Sequence, residues 1–290
     1  MNYETNTLDQ YAAQWWKKAF SRLRRDSLIT RISTFLTSGS SYDYNFLRLC
    51  IQHERSTLAT EKRTQLFFDL DGTLVDSQPG IELSIRHTLD QLGVEQPCEQ
   101  RLRDCFGPPL RISFASLLDT QHQPVIEQAV TLFRQHYLQQ GIHHYRIYPG
   151  ISALLQQLAD SCDQSLAVLT AKPQAQAEWI LTDAGLAPYF QQVFGSTDQG
   201  VRSCKSRHLG HLIAQQQLTP SHCWMIGDRA CDIEAAKANA TRSVAVSWGY
   251  ASDQELGNSD YCHLIDSPGQ LLAIIEAGRP SPPLGRCDQR

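Results

Sequence analysis

The sequence QLFFDLDGTLVD, residues 65–76, decides how this chain of 290 residues folds. An apolar run at residues 66–68 ends in the carboxylate of Asp69, as a buried parallel strand does where it reaches the edge of its sheet. Asp71 follows two positions later, and Gly72 permits the sharp turn that leads the chain away from the sheet. Chemistry in an open α/β sheet collects just beyond the carboxyl ends of the strands. Two carboxylates there repel each other unless a cation or a shared proton relieves them, which indicates a metal site.

A second segment, VLTAKP at residues 168–173, ends a predicted strand in a hydroxyl group. Thr170 Oγ and the backbone N–H groups that follow it can bind phosphoryl oxygens at the start of a helix. The same hydroxyl can cap that helix ahead of Pro173, and the two roles are compatible. We interpret Lys172 as a neighbour of the substrate or of residues that cover it.

A further segment, MIGDRACD at residues 225–232, adds two carboxylates, one at a strand end and one in the first turn of a helix. Asp228 and Asp232 carry hard oxygen atoms, the ligand type that suits Mg²⁺. An ordinary helix start with acidic residues near its N-terminus would look similar, but it does not account for Gly227 together with residues 65–76. The sequence therefore predicts a Mg²⁺ site.

The chemistry that these residues suggest is attack of a carboxylate on phosphorus. Asp69 is the candidate nucleophile, because a covalent aspartyl phosphate splits one hard displacement into two easier ones. Asp71 is placed to give a proton to the leaving alkoxide and later to accept one from water. A D-x-D-G turn after a strand is also a common structural feature. The later segments favour the catalytic interpretation.

Together these segments resemble, in the expected order, the motifs of the haloacid dehalogenase-like (HAD) phosphohydrolase superfamily, over about residues 65–277. The resemblance implies a lysine that neutralises phosphate charge, and Lys205 is the single lysine between the second and the fourth motif. It also implies that Asp69, Asp228 and the backbone carbonyl of Asp71 hold Mg²⁺, with Asp232 acting from an outer position or through water.

Phosphate binding is assigned on the same resemblance to residues of the first two motifs, namely Gly72, Thr73, Thr170 and Ala171. Many phosphatases of the family have Asn at the position of Ala171. The side-chain contact of that Asn is therefore missing here, although the backbone donor remains.

The fold class follows from the order of elements. After Gly150 short apolar strands alternate with helices, which predicts a parallel sheet between two layers of helices. We predict an α/β fold, a three-layer Rossmann-like HAD core with an inserted α-helical cap subdomain. The expected division is an N-terminal extension at 1–63, helical or partly disordered, a core at 64–79 and 149–277, a helical cap at 80–148 and a disordered tail at 278–290.

Composition is that of an ordinary soluble protein, with 41% hydrophobic and 19% charged residues. A formal charge of -4 argues against nucleic acid as the main partner, and no stretch is apolar enough to span a bilayer. Nine scattered cysteines without a C-x-x-C pair favour reduced thiols over disulfides or zinc. The expected location is the cytoplasm.

The N-terminal extension differs from the rest of the chain. Trp16, Phe20 and Leu23 have helical spacing among basic residues. An interfacial membrane helix and a partner-docking helix are both open interpretations. An appended or poorly ordered helix is favoured over either.

The predicted function is Mg²⁺-dependent hydrolysis of a small phosphorylated metabolite, similar to 2-phosphoglycolate, through a phospho-aspartate. Residues 107–110 resemble the cap loop of phosphoglycolate-phosphatase-like members, so substrate choice is assigned to Phe106, Gly107 and Arg111. Arg111 fits a surface arginine equally well. Alternatives are a 5'-nucleotidase, a pyrophosphatase-type HAD hydrolase and a β-phosphoglucomutase-like phosphotransferase. The choice between monomer and dimer is left open.

Overall fold

The computed structural model describes residues 63–161, 163–197 and 204–277. The predicted tail and all but the last residue of the predicted N-terminal extension lie outside the described residues. The statements below concern the described part of the chain.

A six-stranded sheet forms the centre of the fold, and all of its neighbouring strands are parallel. The strand order is β5-β4-β1-β6-β7-β8, so β1 is one of the two central strands. Two short strands, β2 and β3, pair antiparallel in a separate ribbon. The strands are β1 (Thr64–Phe68), β2 (Val75–Asp76), β3 (Arg146–Ile147), β4 (Gln164–Pro173), β5 (Gln192–Ser196), β6 (Cys223–Gly227), β7 (Arg242–Val246) and β8 (His263–Ile265).

Ten α-helices are described along the chain. They are α1 (Gln78–Gln91), α2 (Glu99–Arg103), α3 (Leu110–Leu117), α4 (Gln123–Gln139), α5 (Ile151–Ala159), α6 (Gln174–Asp183), α7 (Lys205–Gln215), α8 (Ala230–Ala238), α9 (Asp253–Gly257) and α10 (Gly269–Ala277). Short 3₁₀ turns lie at Gly141–His143, Ala187–Tyr189 and Pro220–His222.

Strand β1 is buried on both faces of the sheet. Its side chains alternate between the two faces, as the pleat requires. Leu66 and Phe68 pack in a cluster that includes buried residues of α5, α6 and α10. Phe67 packs on the other face with buried residues of α7 and α8. A strand buried on both sides reads as a continuous apolar run, and this explains the sequence of residues 66–68.

The segment between β2 and β3 consists of helices α1 to α4, which we call the inserted helices. Phe114 and Phe133 meet edge to face there, and Phe133 stacks on Tyr137. Pro79 and Gly80 lie in the first turn of α1. Proline is tolerated there because the first N–H groups of a helix have no partner within it.

The predicted fold class is confirmed, since a parallel sheet lies between two helical layers and helices are inserted after the first motif. The domain limits given above stay a prediction. Strand β8 and helices α9 and α10 were not predicted from the sequence. No helix in the described part of the chain has the length and apolar character needed to cross a membrane.

Truncation of Leu66 tests whether β1 is the centre of the core. Leu66 has 0% exposure, so Leu66→Ala should lower the free energy of unfolding by about 2–5 kcal/mol. Urea denaturation followed by circular dichroism measures this change. The matched control is Leu83→Ala on α1, where Leu83 is 41% exposed, and it should cost less than about 1 kcal/mol. Equal losses in the two variants would contradict the central position of β1.

Candidate active site

Three neighbouring strands bring the predicted motifs to one edge of the sheet. Strand β1 lies between β4 and β6, and Phe68 pairs with Val168 on one side and with Ile226 on the other. Asp69 follows β1 directly, and its N–H donates a hydrogen bond to the carbonyl of Ile226 (2.9 Å). The carboxyl ends of the three strands therefore present Asp69, Thr170 and Asp228 side by side.

Lys205 holds two of the carboxylates together. Its Nζ lies 2.6 Å from Asp69 Oδ2 and 2.5 Å from Asp232 Oδ1, and its side chain is 5% exposed. Burial alone would lower the pKa of Lys205, but the charges of Asp232 and Asp69 outweigh burial and raise that pKa well above its ordinary value. Lys205 is therefore a fixed positive charge beside the candidate nucleophile.

Asp228 is fully buried and is held by the loops that follow β1 and β7. Thr73 Oγ1 donates to Asp228 Oδ1 (3.3 Å), and the N–H of Tyr250 donates to Asp228 Oδ2 (2.8 Å). Gly72 has φ +84°, and a Cβ added there would lie 2.2 Å from Asp228 Oδ2. Glycine is thus required at position 72 for its backbone conformation and for the space beside Asp228.

The pKa values of the two carboxylates from the fourth motif are raised. Burial, with the nearby charge of Asp69, raises the pKa of Asp228 to about 8. Burial also raises the pKa of Asp232 to about 6, although the ion pair with Lys205 lowers it in part. Both shifts mean that the metal-free site favours an added proton, because its negative charge is only partly neutralised.

The residues of this cluster fit a divalent cation. One ligand oxygen each from Asp69, Asp228 and Asp232 lie within 4.8 Å of one another, and all three residues are buried. Asp69 Oδ1 is buried and has no hydrogen-bond partner among the described residues. Both oxygens of Asp232 already accept hydrogen bonds, from Lys205 and from the N–H of Arg229. Both oxygens of Asp228 are engaged as well, by Thr73 and Tyr250, so Asp69 Oδ1 is the cluster oxygen best suited to direct contact with a cation.

Asp71 is bound by a second lysine. Lys172 Nζ lies 3.1 Å from Asp71 Oδ1 and 3.0 Å from Asp71 Oδ2, and Ser77 Oγ donates to Oδ1 (2.6 Å). Tyr250 OH accepts a hydrogen bond from the N–H of Ser77 (2.7 Å). The Asp71 side chain is 22% exposed, against 5% for Lys172. Asp71 thus faces the more open side of the site.

The second motif keeps its backbone organised. Thr170 is buried, and its Oγ1 accepts a hydrogen bond from the N–H of Lys172 (3.2 Å). The carbonyl of Ala171 accepts one from Ser196 Oγ (2.7 Å). Strand β4 continues through this region to Pro173, so the predicted strand end at Thr170 is too early.

Phe106 and Gly107, assigned to substrate choice, lie where the inserted helices meet the fourth motif. Arg229 NH1 donates to the carbonyl of Phe106 (2.5 Å), and the Phe106 ring is 6.0 Å from that of Tyr250. Gly107 has φ +106°, and a Cβ there would collide with the Arg229 guanidinium. Arg229 also pairs with Glu255 (2.8 Å). The hydrogen bond from Arg229 to Phe106 connects the turn at Phe106 to the residue that follows Asp228.

Arg111 is engaged elsewhere. Its Nε lies 2.5 Å from Glu127 Oε1 on α4, and its side chain is 49% exposed. That pairing favours the surface interpretation of Arg111, and its role in specificity stays a prediction.

Sequence reasoning missed three residues that support the site, namely Ser77, Arg229 and Tyr250. Ser77 bonds to Asp71 only six positions away. Arg229 and Tyr250 act through contacts across the fold, and local sequence patterns contain no signal for such contacts. Lys172 was noted as a neighbour of the substrate, but its ion pair with Asp71 was not foreseen.

The raised pKa of Asp228 predicts how stability depends on pH. Between about pH 4 and pH 8 the folded protein retains a proton that the unfolded chain has lost, so metal-free stability falls as the pH rises through this range. Asn cannot ionise, and Asp228→Asn should therefore gain stability relative to the natural protein over that range, by up to a few kcal/mol, since each pKa unit corresponds to about 1.4 kcal/mol. Urea denaturation in EDTA at several pH values measures the difference.

The exposed Asp266→Asn is the matched control, because it removes a carboxylate outside the cluster. It should show no comparable gain. A constant difference between Asp228→Asn and the natural protein at all pH values would mean that the Asp228 carboxyl does not titrate in this range.

Comparison with known proteins agrees with this geometry. A family model described as haloacid dehalogenase-like hydrolase matches residues 66–246. A 5'-nucleotidase of Pseudomonas aeruginosa is 32% identical over 212 residues, which cover 73% of this chain and 95% of that protein. A phosphoglycolate phosphatase of Aquifex aeolicus is 30% identical, with 73% and 96% covered.

Two further proteins are similar to this chain, and one of them is named as a kinase. The tyrosine-protein kinase PtkA of Mycobacterium tuberculosis is 32% identical over 196 residues, which cover 68% of this chain and 66% of that protein. A solved structure of a haloacid dehalogenase-like hydrolase from Streptococcus pneumoniae has a TM-score of 0.68 and 30% identity, with 73% of this chain and 98% of that chain covered. The resemblance inferred from the motifs is confirmed, and the chain belongs to the haloacid dehalogenase-like hydrolase family.

Proposed function

We propose that this protein is a Mg²⁺-dependent phosphate monoester hydrolase that acts through a phospho-aspartate at Asp69. The observation that carries the proposal is the environment of Asp69. One of its oxygens is 2.6 Å from Lys205 Nζ, and the other is buried without a hydrogen-bond partner among the described residues. An unsatisfied carboxylate oxygen in a buried site is costly unless a ligand or ion meets it.

The Mg²⁺ would be held by Asp69, Asp228 and the backbone carbonyl of Asp71. Asp232 would fix the position of Lys205 through their ion pair. When bound, Mg²⁺ would reduce repulsion between the phosphate dianion and Asp69 and stabilise charge that develops in the transition state. Lys205 supplies a permanent positive charge for the same purpose. The hydroxyl of Thr170 and the backbone around Gly72, Thr73 and Ala171 are the proposed donors to phosphoryl oxygens.

Asp71 is the proposed general acid and base. In the first step an oxygen of Asp69 attacks phosphorus, the bond from phosphorus to the ester oxygen breaks, and Asp71 gives its proton to that leaving oxygen. In the second step Asp71 takes a proton from water while the water oxygen attacks the phospho-aspartate. This releases inorganic phosphate and restores the Asp69 carboxylate.

A small phosphorylated metabolite similar to 2-phosphoglycolate is the proposed substrate. Support comes from the inserted helices beside the site, since a helical cover excludes bulky polymers, and from relatives named phosphoglycolate phosphatase. A nucleoside monophosphate is the alternative, in view of the relative named 5'-nucleotidase. The described cysteines are all free, in keeping with a proposed cytoplasmic location.

Phosphotransfer is the second candidate activity. It would use the same residues, and the relative named tyrosine-protein kinase is the observation that favours it. A hydrolase passes the phosphoryl group to water, whereas a phosphotransferase passes it to another acceptor. The panel described next separates the two, because only hydrolysis releases phosphate without an added acceptor.

Asp69→Asn should abolish turnover, because the amide is a far weaker nucleophile than the carboxylate. Phosphate release would be measured with 2-phosphoglycolate, nucleoside monophosphates, sugar phosphates and pyrophosphate, each with Mg²⁺ and with EDTA. The natural protein should turn over at least one monoester only with Mg²⁺, and the variant should retain its circular dichroism spectrum. Mg²⁺-dependent activity retained in Asp69→Asn would refute the mechanism.

Binding of Mg²⁺ should stabilise the folded protein, since an ion that binds only the native state raises Tm. We expect millimolar Mg²⁺ to raise Tm of the natural protein in buffer at pH 8 and to have a much smaller effect on Asp228→Asn. Differential scanning fluorimetry against a Mg²⁺ series measures the shift. An equal shift in both proteins would indicate that Asp228 does not hold the ion.

A further inference from the structure

Lys172 is a buried cation of the site to which the proposed mechanism gives no role. Its residue exposure is 8%, and it follows Thr170 by two positions on the same strand. Burial lowers the pKa of Lys172, but the charge of Asp71 outweighs this and the net pKa is raised. The side chain is therefore a permanent ammonium group.

The contacts of Lys172 conflict with free action of Asp71. Both oxygens of Asp71 lie within 3.1 Å of Lys172 Nζ, and Oδ1 also accepts from Ser77 Oγ. A group that must exchange a proton with the leaving oxygen needs an oxygen directed at that atom. The pair must therefore loosen when substrate binds. A buried ammonium that loses its carboxylate requires another anion in its place.

The surroundings of Lys172 indicate where that anion would lie. The Tyr137 ring, on inserted helix α4, is 4.9 Å from Lys172 Nζ, measured to the ring centroid. Lys172 thus lies where the inserted helices meet the sheet edge, while Lys205 lies on Asp69, the nucleophile. The two lysines therefore mark two sides of the site. Lys205, on Asp69, marks the phosphoryl side, and Lys172, on Asp71, marks the leaving-group side.

We propose that Lys172 is a specificity-determining residue that binds a carboxylate on the alcohol part of the substrate and thereby releases Asp71. This inference rests on the proposed function. Because Lys172 Nζ is 3.0 Å from Asp71 Oδ2, the anion it binds lies next to the proposed acid and so close to the leaving oxygen. The substrate class is a phosphate monoester of a short 2-hydroxy acid. A nucleoside, which has no carboxylate, would not engage Lys172 in this way.

The test uses binding, so that it does not depend on turnover. Isothermal titration calorimetry with Mg²⁺ would compare 2-phosphoglycolate with its neutral amide, phosphoglycolamide, on Asp69→Asn and on Asp69→Asn with Lys172→Gln. The first protein should bind the acid at least about tenfold more tightly than the amide, as for a charge-assisted hydrogen bond. Addition of Lys172→Gln should reduce that ratio to about one or less, with little change for the amide.

Lys237→Gln in the same background is the matched control, because Lys237 is an exposed lysine paired with Asp260, and it should leave the ratio unchanged. The inference is overturned if Lys172→Gln keeps the tenfold preference, or if neither ester binds. Turnover by the natural protein is measured separately. Phosphate release from a neutral ester with no preference for the acid would preserve the proposed hydrolase and refute the role of Lys172.

Discussion

The structure depends on one electrostatic constraint, the excess of negative charge at the carboxyl edge of a parallel sheet. Lys205 pairs with Asp69 and Asp232, and Lys172 pairs with Asp71. A fourth carboxylate, Asp228, lies beside Asp69 and Asp232 and forms no ion pair among the described residues. Burial makes uncompensated charge expensive, and the raised pKa of Asp228 is a consequence. Either a proton or a metal ion must supply the missing positive charge. Substrate phosphate adds further negative charge, so a divalent cation is the natural complement of the site.

The fold serves this constraint by fixing the carboxylates on rigid elements. Strand β1 is buried on both faces, so Asp69 follows a segment that cannot shift without disturbing both cores. Asp228 is held through backbone and side-chain donors, and Gly72 leaves the space that it occupies. Arg229 extends the same network to the turn at Phe106. The inserted helices are therefore connected through Arg229 to the turn that carries Asp228.

The sequence predicted the sheet and the meeting of the candidate site residues at one of its edges because the signals for both are local. An apolar strand that ends in a polar residue can be recognised within a dozen residues, and three such segments in alternation with helices predict a parallel sheet. The pairing of Lys172 with Asp71 could not be predicted from the sequence. It joins residues 101 positions apart and depends on strand order and side-chain conformation. Arg111 was assigned to the site because it is a bidentate donor close to it in the sequence, but its guanidinium pairs with Glu127.

The central claim is that Asp69 becomes covalently phosphorylated, and direct trapping tests it. The natural protein would be mixed with a phosphorus-labelled monoester and Mg²⁺, quenched in acid within milliseconds and digested for peptide mass spectrometry. We predict label on the peptide that contains Asp69, dependent on Mg²⁺. With an aryl monoester, whose leaving group departs without a proton, Asp71→Asn should increase the label because it slows mainly hydrolysis of the intermediate. Label on a different residue, or steady turnover with no labelled peptide in either protein, would contradict Asp69 as the nucleophile.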